Sequence, residues 1–100
     1  MAFVYIVRCA DGTFYTGMAT DVERRVQQHN SGRGAKYTRG RRPVELVYCE
    51  ERETVGKALR REKEIQKMNR HKKSELIKSK KQANSHPADK GRMGISDSEI

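Results

Sequence analysis

Apolar and polar positions change rhythm several times along the chain, and each change marks an element. Phe3-Val4-Tyr5-Ile6-Val7 is a continuous apolar, aromatic and β-branched run, which predicts a buried strand. Asp11-Gly12 is a turn signal, and Thr13-Phe14-Tyr15-Thr16 reads as a second strand, so the two form a hairpin. Helical spacing follows, with Val22, Arg25, Val26 and His29 on one face, capped at Thr20 or Asp21 and running to about Asn30. Ser31-Gly32-Arg33-Gly34 breaks that helix. Residues 33–42 read as a basic loop, and Pro43 fits the entry to a third strand, Val44 to Cys49. Val44, Leu46 and Tyr48 are expected on one face of it, against Glu45, Val47 and Cys49. Glu53-Thr54 opens a long helix to about Asn69, with Val55, Leu59, Ile65 and Met68 as its apolar positions. A short basic helix from about Lys72 to Lys80 follows.

The order is therefore β-β-α-β-α-α. It predicts an α/β fold, a small three-stranded mainly antiparallel sheet flanked by helices, in one domain over residues 1–80. Residues 81–100 are rich in Ser, Asn, Gly and mixed charge, and are expected to form a disordered tail.

The hairpin loop decides how its two tyrosines are arranged. A two-residue Asp11-Gly12 turn pairs Arg8 with Tyr15 and sends Tyr5 and Tyr15 to opposite faces. A three-residue Ala10-Asp11-Gly12 loop pairs Cys9 with Thr13, Val7 with Tyr15 and Tyr5 with Gly17. Both phenols then share a face, about 7–8 Å apart on the diagonal. Gly12 supplies the left-handed residue such a loop wants, so the three-residue loop is expected. Gly17 then leaves open space opposite Tyr5. Ordinary strand aromatics with hydroxyls at the rim are the plainer alternative.

Composition adds a partner class. The chain carries 22 Lys and Arg against 13 Asp and Glu, a formal net charge of +9 over 100 residues. Lys81, Lys90 and Arg92 balance Asp89, Asp97 and Glu99 in the tail, so all the excess lies before it. A folded body this basic attracts polyanions, and a phosphate backbone is the commonest one. No long apolar run spans a membrane, no strongly apolar amphipathic helix suits a membrane surface, and Met1 to Cys9 does not read as a signal peptide. Cys9 and Cys49 make no CxxC and fit two buried thiols in a reducing cytoplasm.

Three polar side chains sit on apolar stripes. Arg25 and His29 share a helix face with Val22 and Val26, and Glu62 lies among Ala58, Leu59 and Ile65. A buried charge is costly unless paired, hydrogen-bonded or metal-bound, so an arginine, a histidine and a carboxylate converging on one sheet face suggest a polar site. Arg25 could instead pair with Glu62, and His29 could be a satisfied core histidine.

At these residues the chain resembles the GIY-YIG nuclease superfamily. Val4-Tyr5 matches the end of the first signature, with Phe3 where Gly is common, and Tyr15-Thr16-Gly17 matches the second, with Thr at its centre. Asp21-Val22-Glu23-Arg24-Arg25-Val26 resembles the helix bearing the family's catalytic arginine, which falls on Arg25. His29 falls on a frequent histidine, and Glu62 on the metal-binding glutamate. The stretch HNSGRGAKYTRGRRPVELVY is most similar to the small single-domain bacterial branch (YhbQ-like, UPF0213-type), and also to the nuclease subunit of a eukaryotic branched-DNA resolvase.

The resemblance implies a divalent-metal-dependent endonuclease. Glu62 would hold one Mg²⁺ or Mn²⁺, Arg25 would bind the non-bridging phosphate oxygens, and Tyr5 would orient and deprotonate the attacking water. Tyr15 and His29 would orient the water, Tyr5 or the phosphate, and Gly17 would be structural in the site. Arg24, Arg33, Lys36, Arg39, Arg41, Arg42, Arg60, Arg61 and Lys67, with Lys72 and Lys73, would track the nucleic-acid backbone. Tyr37 would stack on an unpaired base or serve packing. DNA is expected ahead of RNA, with branched or single-stranded repair and recombination intermediates as the first substrates and a partner protein as a guide to them. Two other readings stay open: a non-catalytic nucleic-acid-binding module of the same fold, and a protein-interaction subunit whose basic face meets an acidic partner.

Overall fold

Strand β1 (Ala2–Arg8) turns through Ala10, Asp11 and Gly12 into β2 (Phe14–Ala19), and the turn has three residues as expected. Cys9 N–H donates to Thr13 O at 2.8 Å and Gly12 N–H to Cys9 O at 2.9 Å. Gly12 adopts φ +86°, the left-handed conformation this loop needs. Tyr5 pairs with Gly17 and Val7 with Tyr15, so both phenols lie on one face. The computed structural model describes residues 1–83.

Helix α1 (Val22–Asn30) starts where Asp21 accepts the Arg24 N–H at 3.1 Å, and it ends through Ser31 and Gly32, the latter at φ +86°. Within the basic loop the chain forms a single helical turn, α2 (Lys36–Arg39), where only loop was expected. Strand β3 (Glu45–Arg52) completes the sheet, and Thr54 caps α3 (Val55–Gln66) by accepting the Lys57 N–H at 3.1 Å. Helix α4 (Arg70–Ala83) carries helical backbone to Ala83. The remainder of the expected tail lies outside the described residues.

The sheet order is β2-β1-β3, antiparallel throughout, with β1 in the centre. Alternation along β1 therefore feeds two cores. Val4 and Ile6 point to α3 and α4, joining Ala58, Ile65, Ile77 and Tyr48. Tyr5, Val7 and Cys9 point the other way, with Val44, and pack under Tyr15, Val22 and Val26. Each fully buried large side chain in these clusters contributes about 1.5–3 kcal/mol.

Two expectations about faces need correction. The pairing of β1 with β3 slips between Ile6 and Val7, from Ile6↔Tyr48 to Val7↔Leu46, leaving Val47 as an extra residue. That bulge reverses the alternation, so Val44 and Tyr48 lie in different cores and Leu46 is 41% exposed. On α3, Val55 and Leu59 are 47% and 42% exposed, and the buried line runs through Ala58 and Ile65. Both cysteines are free thiols, Cys9 buried and Cys49 only half-buried.

Candidate active site

The hairpin and α1 build one wall. His29 is fully buried at the end of α1, under the sheet face that bears Tyr5 and Tyr15. Its Nε2 lies 2.7 Å from the Tyr5 hydroxyl, and its ring meets Tyr5 and Tyr15 edge-on, at centroid distances of 5.9 and 5.3 Å. Arg25 stands one turn earlier on the same face and donates from Nη1 to Gln28 Oε1 at 2.9 Å. Gly17 is the floor: a Cβ there would stand 2.5 Å from the Tyr5 hydroxyl and 3.1 Å from Tyr15 Cε2.

Glu62 arrives from the other side of the sheet, which corrects the expected convergence on a single face. Its helix, α3, packs on the Val4–Ile6 face, whereas α1 covers the Tyr5–Val7 face. Gln66, one turn after Glu62, reaches Thr16 O of β2 at 3.4 Å, so this side of α3 lies along the sheet's β2 edge. Across that edge the Glu62 carboxylate opposes ionisation of both Tyr5 and Tyr15.

Burial is the largest influence on each titrating group of the site, and Arg25 is the cation felt by both tyrosines and by His29. Burial pushes the Tyr5 hydroxyl up to about 12, against the opposing pull of Arg25. Tyr15 is also raised by burial, with Arg25 opposing and Glu62 adding. His29 is held below its ordinary value by burial and secondarily by Arg25, so the imidazole is neutral at neutral pH. Glu62 is raised by burial, with Lys63 opposing.

Among the described residues no ion pair joins Arg25 to Glu62, so the two do not neutralise each other as a structural pair. Nor do three or more His, Cys, Asp or Glu side chains gather there into a metal-binding group. A hard cation such as Mg²⁺ keeps several waters and takes one or two carboxylates plus substrate phosphate oxygens, and a lone, partly buried Glu62 fits that donor set.

The basic side chains divide into two groups. Arg24, Arg33, Lys36, Arg39, Arg60 and Lys67 are exposed and have no acidic partner among the described residues. Arg42 is exposed and donates to Arg39 O at 2.9 Å. A depression of about 480 Å³ is lined by Asn30, Arg39, Gly40, Arg42 and Pro43. Arg41, in contrast, pairs with Asp11 at 3.0 Å, donates to Tyr37 O at 2.7 Å and lies over the Tyr37 ring. Tyr37 in turn stacks on Tyr15, with centroids 5.8 Å apart, so it has a packing role. Arg61 bridges Glu50 and Glu64, each at 3.0 Å, which fastens α3 to β3 rather than placing its charge at the site.

Three residues at the site were not anticipated. Thr38 is fully buried, with Oγ1 2.8 Å from His29 Nδ1. Gly34 lets the chain pass beside His29, where a Cβ would come within 2.7 Å of His29 Cα. Asn30 clamps Val44, donating to its O at 3.0 Å and accepting its N–H at 2.6 Å. A lone threonine within the basic segment KYTRGRR was the one available signal for Thr38. Gly34 and Asn30 read only as a helix stop.

Among the described residues no helix is long and apolar enough to cross a membrane. Residues 1–84 match the GIY-YIG catalytic domain family. A UPF0213 protein of Staphylococcus aureus (strain Mu3) is 59% identical over 78 residues, which cover 78% of this chain and 95% of the relative. The solution NMR structure of a UPF0213 protein from Bacillus halodurans is 47% identical, covers 80% of this chain and 86% of its own, and superposes with a TM-score of 0.53. That of a protein from E. faecalis is 38% identical, with coverage of 84% and 90% and a TM-score of 0.56. With its two hairpin tyrosines, its helix arginine and its outlying glutamate in this arrangement, the chain belongs to the GIY-YIG catalytic domain family, a family of nuclease type.

Proposed function

We propose that this protein is an endonuclease that hydrolyses phosphodiester bonds in DNA with one Mg²⁺ or Mn²⁺ ion. The observation that carries this reading is the gathering of Tyr5, Tyr15, Arg25 and His29 over Gly17, with Glu62 felt across the β2 edge. Arg25 binds the non-bridging oxygens of the scissile phosphate, for which a planar guanidinium is suited. A phosphate at Arg25 brings an attacking water to Tyr5. Tyr5 takes a proton from that water while its own hydroxyl proton is held against His29 Nε2, 2.7 Å away. Tyr15 fixes the His29 ring from its edge. Glu62 would hold the ion, whose chemistry when bound is to polarise the phosphate and stabilise the departing oxygen.

Arg33, Lys36, Arg39 and Arg42 lie on the segment that follows α1 and supply contacts to the phosphate backbone. Such contacts do not read base sequence, so strand shape and branching set the preference, with repair or recombination intermediates as substrates. The body works in the cytoplasm, where Cys9 and Cys49 stay reduced, and a partner protein directs it to its targets.

The test is cleavage of branched, nicked and single-stranded DNA with Mg²⁺ and with Mn²⁺. Glu62→Ala and Arg25→Ala should abolish cutting while leaving binding. If both variants cut like the parent, the site is misassigned. Binding by the parent without any cutting would instead favour a non-catalytic module.

A further inference from the structure

We propose that Thr38 is a positioning residue that selects the tautomer of His29 and so keeps Nε2 free to accept the Tyr5 proton. The proposal rests on the nuclease reading for its consequence, but its structural half stands alone. Thr38 Oγ1 has one proton, and Ala35 O lies 2.9 Å away to receive it. The same oxygen lies 2.8 Å from His29 Nδ1 and, with its proton committed, acts there as the acceptor. Nδ1 therefore carries the imidazole hydrogen. Nε2 keeps its lone pair toward the Tyr5 hydroxyl at 2.7 Å, and that hydroxyl is the donor.

A competing donor makes the choice consequential. The Ala35 backbone N–H points at the same Nδ1 from 3.4 Å, a long contact that would favour the opposite tautomer. With Nδ1 as acceptor, Nε2 would carry the hydrogen and donate to Tyr5, blocking proton transfer from the phenol. The one-turn helix α2 brings Thr38 back onto Ala35, whose O also takes the Thr38 N–H at 3.0 Å. The Thr38 contact to Nδ1 at 2.8 Å, far shorter than the Ala35 one, favours the Nδ1–H form. Because His29 is fully buried and Gly34 presses against it, the ring has no room to reorient.

The proton inventory closes. As the water oxygen bonds to phosphorus, a water proton passes to Tyr5 Oη and the original Tyr5 proton passes to His29 Nε2. The bond to the departing oxygen breaks, and that oxygen takes a proton from bulk water. The imidazolium then restores one proton to bulk water through Tyr5.

Nitrogen-15 NMR of the full-length, metal-free protein at neutral pH decides the structural half without any activity. A protonated Nδ1 and an unprotonated Nε2 are expected, and the reverse assignment would overturn the proposal. In Thr38→Val the tautomer should shift toward Nε2–H, and kcat should fall on the order of 100-fold with KM little changed. Thr38→Ser, which keeps the oxygen, should restore both. Retention of Nδ1–H with parental kcat in Thr38→Val would also overturn it. If Thr38→Val does not fold, the parent spectrum together with Thr38→Ser still decides. A parent protein that cuts nothing would sink the nuclease reading and leave the spectrum to decide the tautomer.

Discussion

Gly17 stands directly beneath the Tyr5 hydroxyl, so near that a methyl group in its place would sit 2.5 Å from Oη and 2.7 Å from Cζ. Tyr5 is 1% exposed and hydrogen-bonded at its tip, so it cannot yield without leaving His29. Gly17→Ala should therefore cost about 1–3 kcal/mol of stability by overpacking. Cutting should fall on the order of 100-fold, because a displacement of about 1 Å at a reacting group is enough for that. Denaturant titration and single-turnover cleavage would check the pair. Unchanged cleavage would place the working phenol elsewhere.

Arg25→Lys should behave like a deletion. A lysine keeps the charge but loses the planar fork that holds two phosphate oxygens at once. The expected loss in kcat is about 10²–10³-fold, with DNA affinity nearly retained. Comparable rates for Lys and Arg at this position would show that only charge matters there.

Thr16 should be improvable. Its Oγ1 is buried and has no hydrogen-bond partner among the described residues. Thr16→Val removes that hydroxyl and should raise stability by about 1 kcal/mol, the lower end of the penalty for an unsatisfied buried polar group. In a domain of this size that corresponds to roughly 4–8 °C in Tm. Cleavage at low temperature should not change. A destabilised variant would mean that the hydroxyl has a partner.

Alkaline stability should erode through two phenols. Burial raises both Tyr5 and Tyr48 to about 12 from 10.0, with Glu50 contributing second at Tyr48. A raised folded-state value means stability is fully present below 10.0 and is lost as pH rises through 12. Each phenol accounts for about 2–3 kcal/mol across that window. His29 acts in the opposite range: its lowered value makes stability fall as pH drops below 6.5. Urea midpoints measured from neutral to strongly alkaline pH should fall, and Tyr5→Phe and Tyr48→Phe should each flatten the curve. A flat parental curve would contradict the buried phenols.

Salt dependence of DNA binding should separate the two groups of basic residues. Lys36→Ala and Arg39→Ala should each reduce the slope of log K against log salt by about one, as a lost phosphate contact does. Arg61→Ala should leave the slope alone and lower stability instead, because its charge is already held between Glu50 and Glu64. Equal slopes for all three would mean that ion pairing does not decide which residues meet DNA.

The hairpin was the most legible part, because register, loop length and the left-handed Gly12 all derive from local rules. The shared face of Tyr5 and Tyr15 followed from that register. Arg25 and His29 were visible as polar residues on an apolar stripe. What stayed hidden depended on events outside any local window. The Val47 bulge, a choice made by the pairing partner, sent Val44 and Tyr48 to different cores. Helical spacing alone did not distinguish which side of α3 meets the sheet, so Leu59 looked as buried as Ala58. Glu62 stood out as a carboxylate among apolar positions of that helix, but its approach from the far face of the sheet is a matter of topology. Thr38 meets His29 only because one turn of α2 folds it back over the ring.

That topology has a practical corollary. The proposed working groups come from β1, β2, α1 and α3, on both sides of one small sheet, so no short fragment of the chain brings them together. The cutting centre should vanish at the same thermal midpoint as the global fold. A nascent or partly melted copy would then be harmless to nearby polymers.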